Sequence, residues 1–150
     1  MTQRTDVVFI PRINLSQGLS AGQVTPASLV GTPSLLFLFP HEARQFLENT
    51  PTSNRWKVDP PQMAQAVETF LAEKLSLEKL EKELTTVLSR DKSQRRIFPV
   101  DQLERLAIKV GFWIFGGVSL QMPGEERLLL NVPGADMRRK LHDFYASRLK

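Results

Sequence analysis

The sequence contains no cysteine, which excludes disulfides, thiolate metal sites and cysteine nucleophiles. Histidine is nearly as scarce, and two imidazoles are too few for an ordinary transition-metal site. The first, His41 in "HEARQ", does not open a two-histidine zinc motif, because position 45 is Gln. The second, His142, neighbours Asp143 on a predicted helix, which points the two in different directions. G-x-S-x-G, P-loop and G-x-G-x-x-G spacings are all missing. "GQVTPASLVGT" has glycines, but neither the spacing of a phosphate loop nor its lysine. Glu125 and Glu126 fall in a predicted turn and Glu81 and Glu83 on a helix face, so no carboxylate pair stands out as an acid–base couple. The chain is read as non-enzymatic, with no cofactor and no metal.

Long apolar runs are also lacking. The most apolar window, "SLLFLFP", is far shorter than the ~20 residues a membrane-spanning helix needs. "MTQRTDVVFIPRINL" has no basic segment followed by a long apolar stretch, so a secretory signal is not expected. The expectation is a cytoplasmic protein. No repeat, low-complexity tract or linker divides the chain, and 150 residues suffice for one domain with a real core. The reading is a single domain over 1–150 with a helical insertion at about 59–90.

What is present begins with charge. The formal net charge is +4, and residues 1–75 hold as many acids as bases, so the excess lies in the second half. It concentrates in Arg90, Lys92, Arg95 and Arg96, in Arg138, Arg139 and Lys140, and in the terminal "RLK". Such clusters either form a solvated face or attract nucleic acid or an anionic surface.

Residues 7–15, "VVFIPRINL", predict a strand in which Pro11 marks an edge or a bend. Ser16 to Ala27 reads as a long loop. "SLVGTPSLLFLF" predicts β structure broken at Gly31 and Pro33, with 34–39 buried on both sides. Residues 41–49 predict a short helix. A further helix is expected from Asp59 as cap and Pro60 as first residue, with Met63, Ala66, Val67, Phe70 and Leu71 at helical spacing. Ser76 either caps a second helix or lies inside one long one, and Leu77, Leu80, Leu84, Val87 and Leu88 form its apolar stripe. That stripe is too short for a coiled coil and is expected to pack on the rest of the chain. After residue 95 short strands follow. "LERLAIKV" alternates in part, Pro-Gly in "MPGEE" predicts a hairpin between 117–122 and 127–132, and a last helix carries Met137, Leu141, Phe144, Tyr145 and Leu149 on its apolar side.

The order in the last third resembles the end of a pleckstrin-homology-like domain, particularly the bacterial and GRAM-type relatives. "FPVDQLERLAIKVG" supplies a proline-led step at Pro99, Leu103 and Leu106, followed by "GVSLQM", a tight turn, "RLLLNV" and an amphipathic helix. "GTPSLLFLFPHEARQF" is similar to a strand–turn–strand unit of the same family. The resemblance covers 28–48 loosely and 97–149 better. It implies an α+β fold: an antiparallel β-barrel or open roll with a C-terminal capping helix, here carrying an inserted helical segment. The phosphoinositide role of many members does not carry over, because the loop from Ser16 to Ala27 has no basic residue. A protein-interaction module is expected instead, engaging a protein through the inserted helices or the aromatic corner, and the runner-up is nucleic-acid or anionic-membrane binding through the basic second half.

Within such a meander, "GFWIFGG" (111–117) joins two strands, and its glycines allow the sharp bends of a corner. Phe112, Trp113 and Phe115 then either close the end of the sheet as core, stand out as a partner-binding tip, or line a small pocket.

Overall fold

The computed structural model describes residues 6–17, 25–41, 62–89, 96–110 and 117–149. Of the helix predicted at 41–49 all but His41, which is a bend, lies outside these residues, as do the cap at Asp59 and Pro60 and all of the 111–117 corner except Gly117. The described chain is α+β. Three strands come first: β1 (Val8–Gln17), β2 (Thr25–Gly31) and β3 (Leu35–Pro40). Two helices follow, α1 (Met63–Leu71) and α2 (Leu77–Leu88), and then β4 (Ile97–Pro99), β5 (Arg105–Ile108), β6 (Val118–Gln121) and β7 (Leu128–Asn131). The helix α3 (Ala135–Phe144) ends the fold with one 3-10 turn at Ala146–Arg148. All seven strands join one antiparallel sheet in the order β4-β3-β2-β1-β7-β6-β5, which is open between β4 and β5.

The two ends of β1 are made consistent by a bulge. Ile10 pairs with Leu29 and Ile13 with Ala27, so Pro11 and Arg12 together oppose Ser28 alone. A strand reverses its faces at every residue, and without the extra one Ile13 and Leu15 would leave the face that Val8 and Ile10 occupy. With it, all four sit in one core. Pro11 has no N–H to contribute to a ladder, so a bulge is where its cost is least. The expected loop from Ser16 to Ala27 is shorter than its composition suggests. β1 continues to Gln17, because its last four residues pair with β7, and β2 already begins at Thr25 opposite Leu15.

The sheet separates two apolar layers. Val8, Ile10, Ile13, Leu15, Leu29, Leu36, Leu38, Leu106, Leu120, Leu130, Leu141 and Tyr145 belong to the first. Val30, Phe37 and Phe39 face the other way, onto Met63, Val67 and Phe70 of α1 and Leu80, Leu84, Val87 and Leu88 of α2. The alternation of Leu36 and Leu38 with Phe37 and Phe39 explains why β3 is apolar at every position: both of its faces are covered.

The helical region resolves into two helices. Ser76 is extended and its hydroxyl accepts from the Lys79 backbone N–H at 3.3 Å, an N-cap that separates α2 from α1. The described start of α1 has Gln62 before it, with no side-chain cap. Between β6 and β7 the Glu125 N–H donates to the Met122 carbonyl at 3.0 Å, and Gly124 has φ 77°. Pro123 followed by a positive-φ glycine is a type II turn, as "MPGEE" predicts. The last helix stops at Phe144, short of the chain end, and places Leu141 and Tyr145 in the first core.

Gly31 ends β2 where side chains from both ends of the chain meet. A Cβ there would overlap the Tyr145 hydroxyl and come within 2.7 Å of Val8 Cγ1. Gly31→Ala is therefore expected to lower stability by about 1–3 kcal/mol through overpacking, measured by urea denaturation. An unchanged midpoint would show that Tyr145 can shift at no cost.

Candidate functional site

The buried polar groups are the natural first place to look for chemistry. Tyr145 is fully buried, and its hydroxyl donates to the Thr32 carbonyl at 2.8 Å, with the Leu35 carbonyl a weaker second acceptor at 3.2 Å. Burial pushes its ionisation far above the ordinary tyrosine range. Nearby Arg148 offsets this in part, and Glu81 adds to it. A phenol so held stays neutral and donates, so it fastens the structure rather than reacting. Thr32 is equally buried, and its hydroxyl donates to a Glu81 carboxylate oxygen at 2.5 Å. The turn between β2 and β3 thus takes one bond from beyond α3 and gives one to α2.

Ser28 and His41 form a second buried pair, with Oγ and Nε2 2.8 Å apart. Ser28 has one hydroxyl proton and gives it to the Pro11 carbonyl at 2.8 Å. The imidazole is therefore the donor, through Nε2–H, and the serine oxygen accepts. A nucleophilic serine needs the opposite arrangement, with its proton aimed at the ring nitrogen. Burial, and then the charge of Arg12, lower the His41 pKa below its ordinary value. His142 and Asp143 do approach each other, Nδ1 to Oδ1 at 3.3 Å, contrary to the expectation that adjacent helical residues diverge. The side chains fold together on the solvent side, where such a pair contributes little. Among the described residues, no group of three or more His, Asp or Glu is placed to hold a metal ion.

The basic residues expected to bind anions divide in three. Arg90, Lys92 and Arg95 lie outside the described residues. Arg96 is half-buried just before β4, and its carbonyl accepts from the Leu38 N–H at 2.9 Å. Arg139 and Lys140 are exposed on α3. Arg138 beside them is half-buried and differently engaged. Its Nε–H donates to the Val110 carbonyl at 3.1 Å and its Nη1–H to the Val132 carbonyl at 2.8 Å.

Arg138 bears directly on the aromatic corner. Phe112, Trp113 and Phe115 themselves are outside the described residues, but the residues on either side of 111–116 are not. Val110 precedes the segment and is bonded to Arg138. Gly117 follows it, and a Cβ there would lie 2.7 Å from Arg138 Cδ. Gly117 also closes the ladder, accepting from the Lys109 N–H at 2.7 Å and donating to the Leu130 carbonyl at 3.0 Å. The described residues on either side of 111–116 are therefore braced by a side chain from α3. Nothing in the sequence marks this role, because both acceptors are backbone carbonyls and any residue supplies those. The one legible sign is Gly117, a glycine where a side chain would collide.

Replacing Arg138 by Gln is expected to cost about 1–3 kcal/mol, since two part-buried hydrogen bonds to carbonyls lose their charged donor. Replacing Arg139 by Gln should change stability by less than about 0.5 kcal/mol, as exposed positions do. Parallel urea titrations check both, and equal effects would contradict the brace. Compared with known proteins, the chain matches no protein-family model, no curated protein and no solved structure.

Proposed function

We propose that the chain is a non-enzymatic protein-interaction module on a pleckstrin-homology-like scaffold, and that it engages its partner through Phe112, Trp113 and Phe115. The observation that carries this reading is the brace at the base of the corner. Arg138 bonds the Val110 and Val132 carbonyls and passes beside Gly117, so the described residues on either side of 111–116 are tied to α3. Binding residues work best when a rigid scaffold holds them, and Trp is frequent among the residues that dominate interface energy. The scaffold reading is supported by the antiparallel order of seven strands with a helix after the last. Further support comes from the buried polar groups: Tyr145 and the Ser28–His41 pair are committed to backbone carbonyls and to each other.

The experiment is a photo-crosslinker placed at position 112 in the full chain, exposed to extract from its own cells, with and without Trp113→Ala. The expected result is a discrete protein adduct that Trp113→Ala abolishes while the melting curve stays in place. A loss of roughly 3–5 kcal/mol in Trp113→Ala, the cost of truncating a buried aromatic, would put Trp113 in the core and end its role as a contact.

A second reading rests on Arg139 and Lys140, which stand exposed and adjacent on α3. Here the partner is nucleic acid or an anionic membrane. Binding would then weaken steeply with salt, because each phosphate contact releases counterions. If the unaltered protein shows no salt-dependent binding to duplex, single strand or anionic vesicles, this reading is excluded.

A further inference from the structure

We propose that His41 is an acid-sensitive latch, which holds the end of β3 against β2 and the β1 bulge while neutral and releases it when protonated. His41 follows directly on β3, and its backbone N–H donates to the Pro26 carbonyl at 2.9 Å. Its ring donates to Ser28, and Ser28 donates to Pro11, the first of the two residues in the bulge. One imidazole thus links three strands at the place where the β1–β2 ladder is interrupted. Ser28 pairs with Phe39, on the sheet face that α1 and α2 cover, and both Ser28 and His41 are buried.

In the neutral ring Nε2 carries the proton, so a second proton must go to Nδ1 and leave a buried imidazolium. The charged groups of the surrounding described elements do not favour this. β1 contributes Arg12, a like charge. β2 and β3 contain no ionisable residue, and Glu68 of α1 and Glu78, Lys79 and Lys82 of α2 are exposed. Glu83 of α2 is half-buried, Glu81 of the same helix accepts from Thr32 at the far end of β3, and the charge that acts on His41 is Arg12. Burial and Arg12 both oppose protonation, so the folded protein takes up this proton less readily than the unfolded chain, whose histidine titrates at its ordinary value of 6.5. Between those two values the unfolded chain holds more protons, and stability rises with pH. The latch contribution is therefore complete above about 6.5 and is lost as pH falls through and below that value. The loss first reaches what His41 ties down, the end of β3 and the bulge.

Nuclear magnetic resonance on the full chain tests this between pH 7.5 and pH 4.5, with amide exchange expressed as protection relative to the unstructured peptide. The expected result is a His41 ring titration below the ordinary histidine range, and in the same step a loss of protection at the His41 amide. His41→Gln keeps a side-chain N–H donor but cannot be protonated, and should abolish the step. Arg12→Gln removes the like charge and should move the step to higher pH. The second variant keeps His41, and so serves as the test if the first does not fold. The proposal is overturned if His41 titrates without change in protection, if the same loss occurs in His41→Gln, or if Arg12→Gln leaves the step where it was.

Discussion

The arrangement of the described elements depends on how the turn between β2 and β3 spends its hydrogen bonds. The Thr32 N–H closes the turn on the Leu35 carbonyl, its carbonyl receives the Tyr145 hydroxyl, and its side chain reaches Glu81. Each of these groups is buried or half-buried, so none can fall back on water without cost. The helix layer on one face and the C-terminal helix on the other are also held by apolar contact, which is strong but not directional. Thr32 supplies direction to both. Gly31 makes this possible by leaving room for the Tyr145 ring and hydroxyl beside Val8.

The same logic governs the opposite half of the sheet. Arg138 joins the ends of β5 and β7 to α3 through two carbonyls, and Gly117 again gives way to a long side chain. In both places a helix is positioned by a polar tip that crosses an apolar layer to reach backbone acceptors. Tyr145 and Arg138 are suited to this because each carries an apolar or methylene body behind its donor. Val110 and Gly117, the described residues on either side of 111–116, lie at one of these fastened points.

Much of the fold is legible in the sequence where the signal is local. The Pro-Gly turn and the apolar side of α3 follow from a few neighbouring residues, and the unbroken run in β3 announces a strand covered twice. Ser76 is legible only as a candidate cap, and its extended backbone decides between two helices and one. What covers it is not legible from β3 itself, since Phe37 and Phe39 say only that an apolar partner exists. Pro11 signals a bend, but the bulge is recognised only when Ile13 and Leu15 are seen to share a face with Ile10. The polar fastenings are hidden for a different reason. Their acceptors are carbonyls of Thr32, Val110 and Val132, which no residue type reveals. Charge alone groups Arg138 with Arg139 and Lys140, and only geometry separates a bracing cation from two solvated ones.

The claim that one turn couples the two layers is tested most directly by a double-mutant cycle. Tyr145→Phe and Glu81→Ala are measured singly and together by urea denaturation. Both partners act on Thr32, so once one is lost the turn relaxes and the second loss costs less. The account predicts that the double variant is less destabilised than the sum of the singles by more than about 0.5 kcal/mol. Additivity within about 0.3 kcal/mol would mean that α2 and α3 dock independently, and would contradict it.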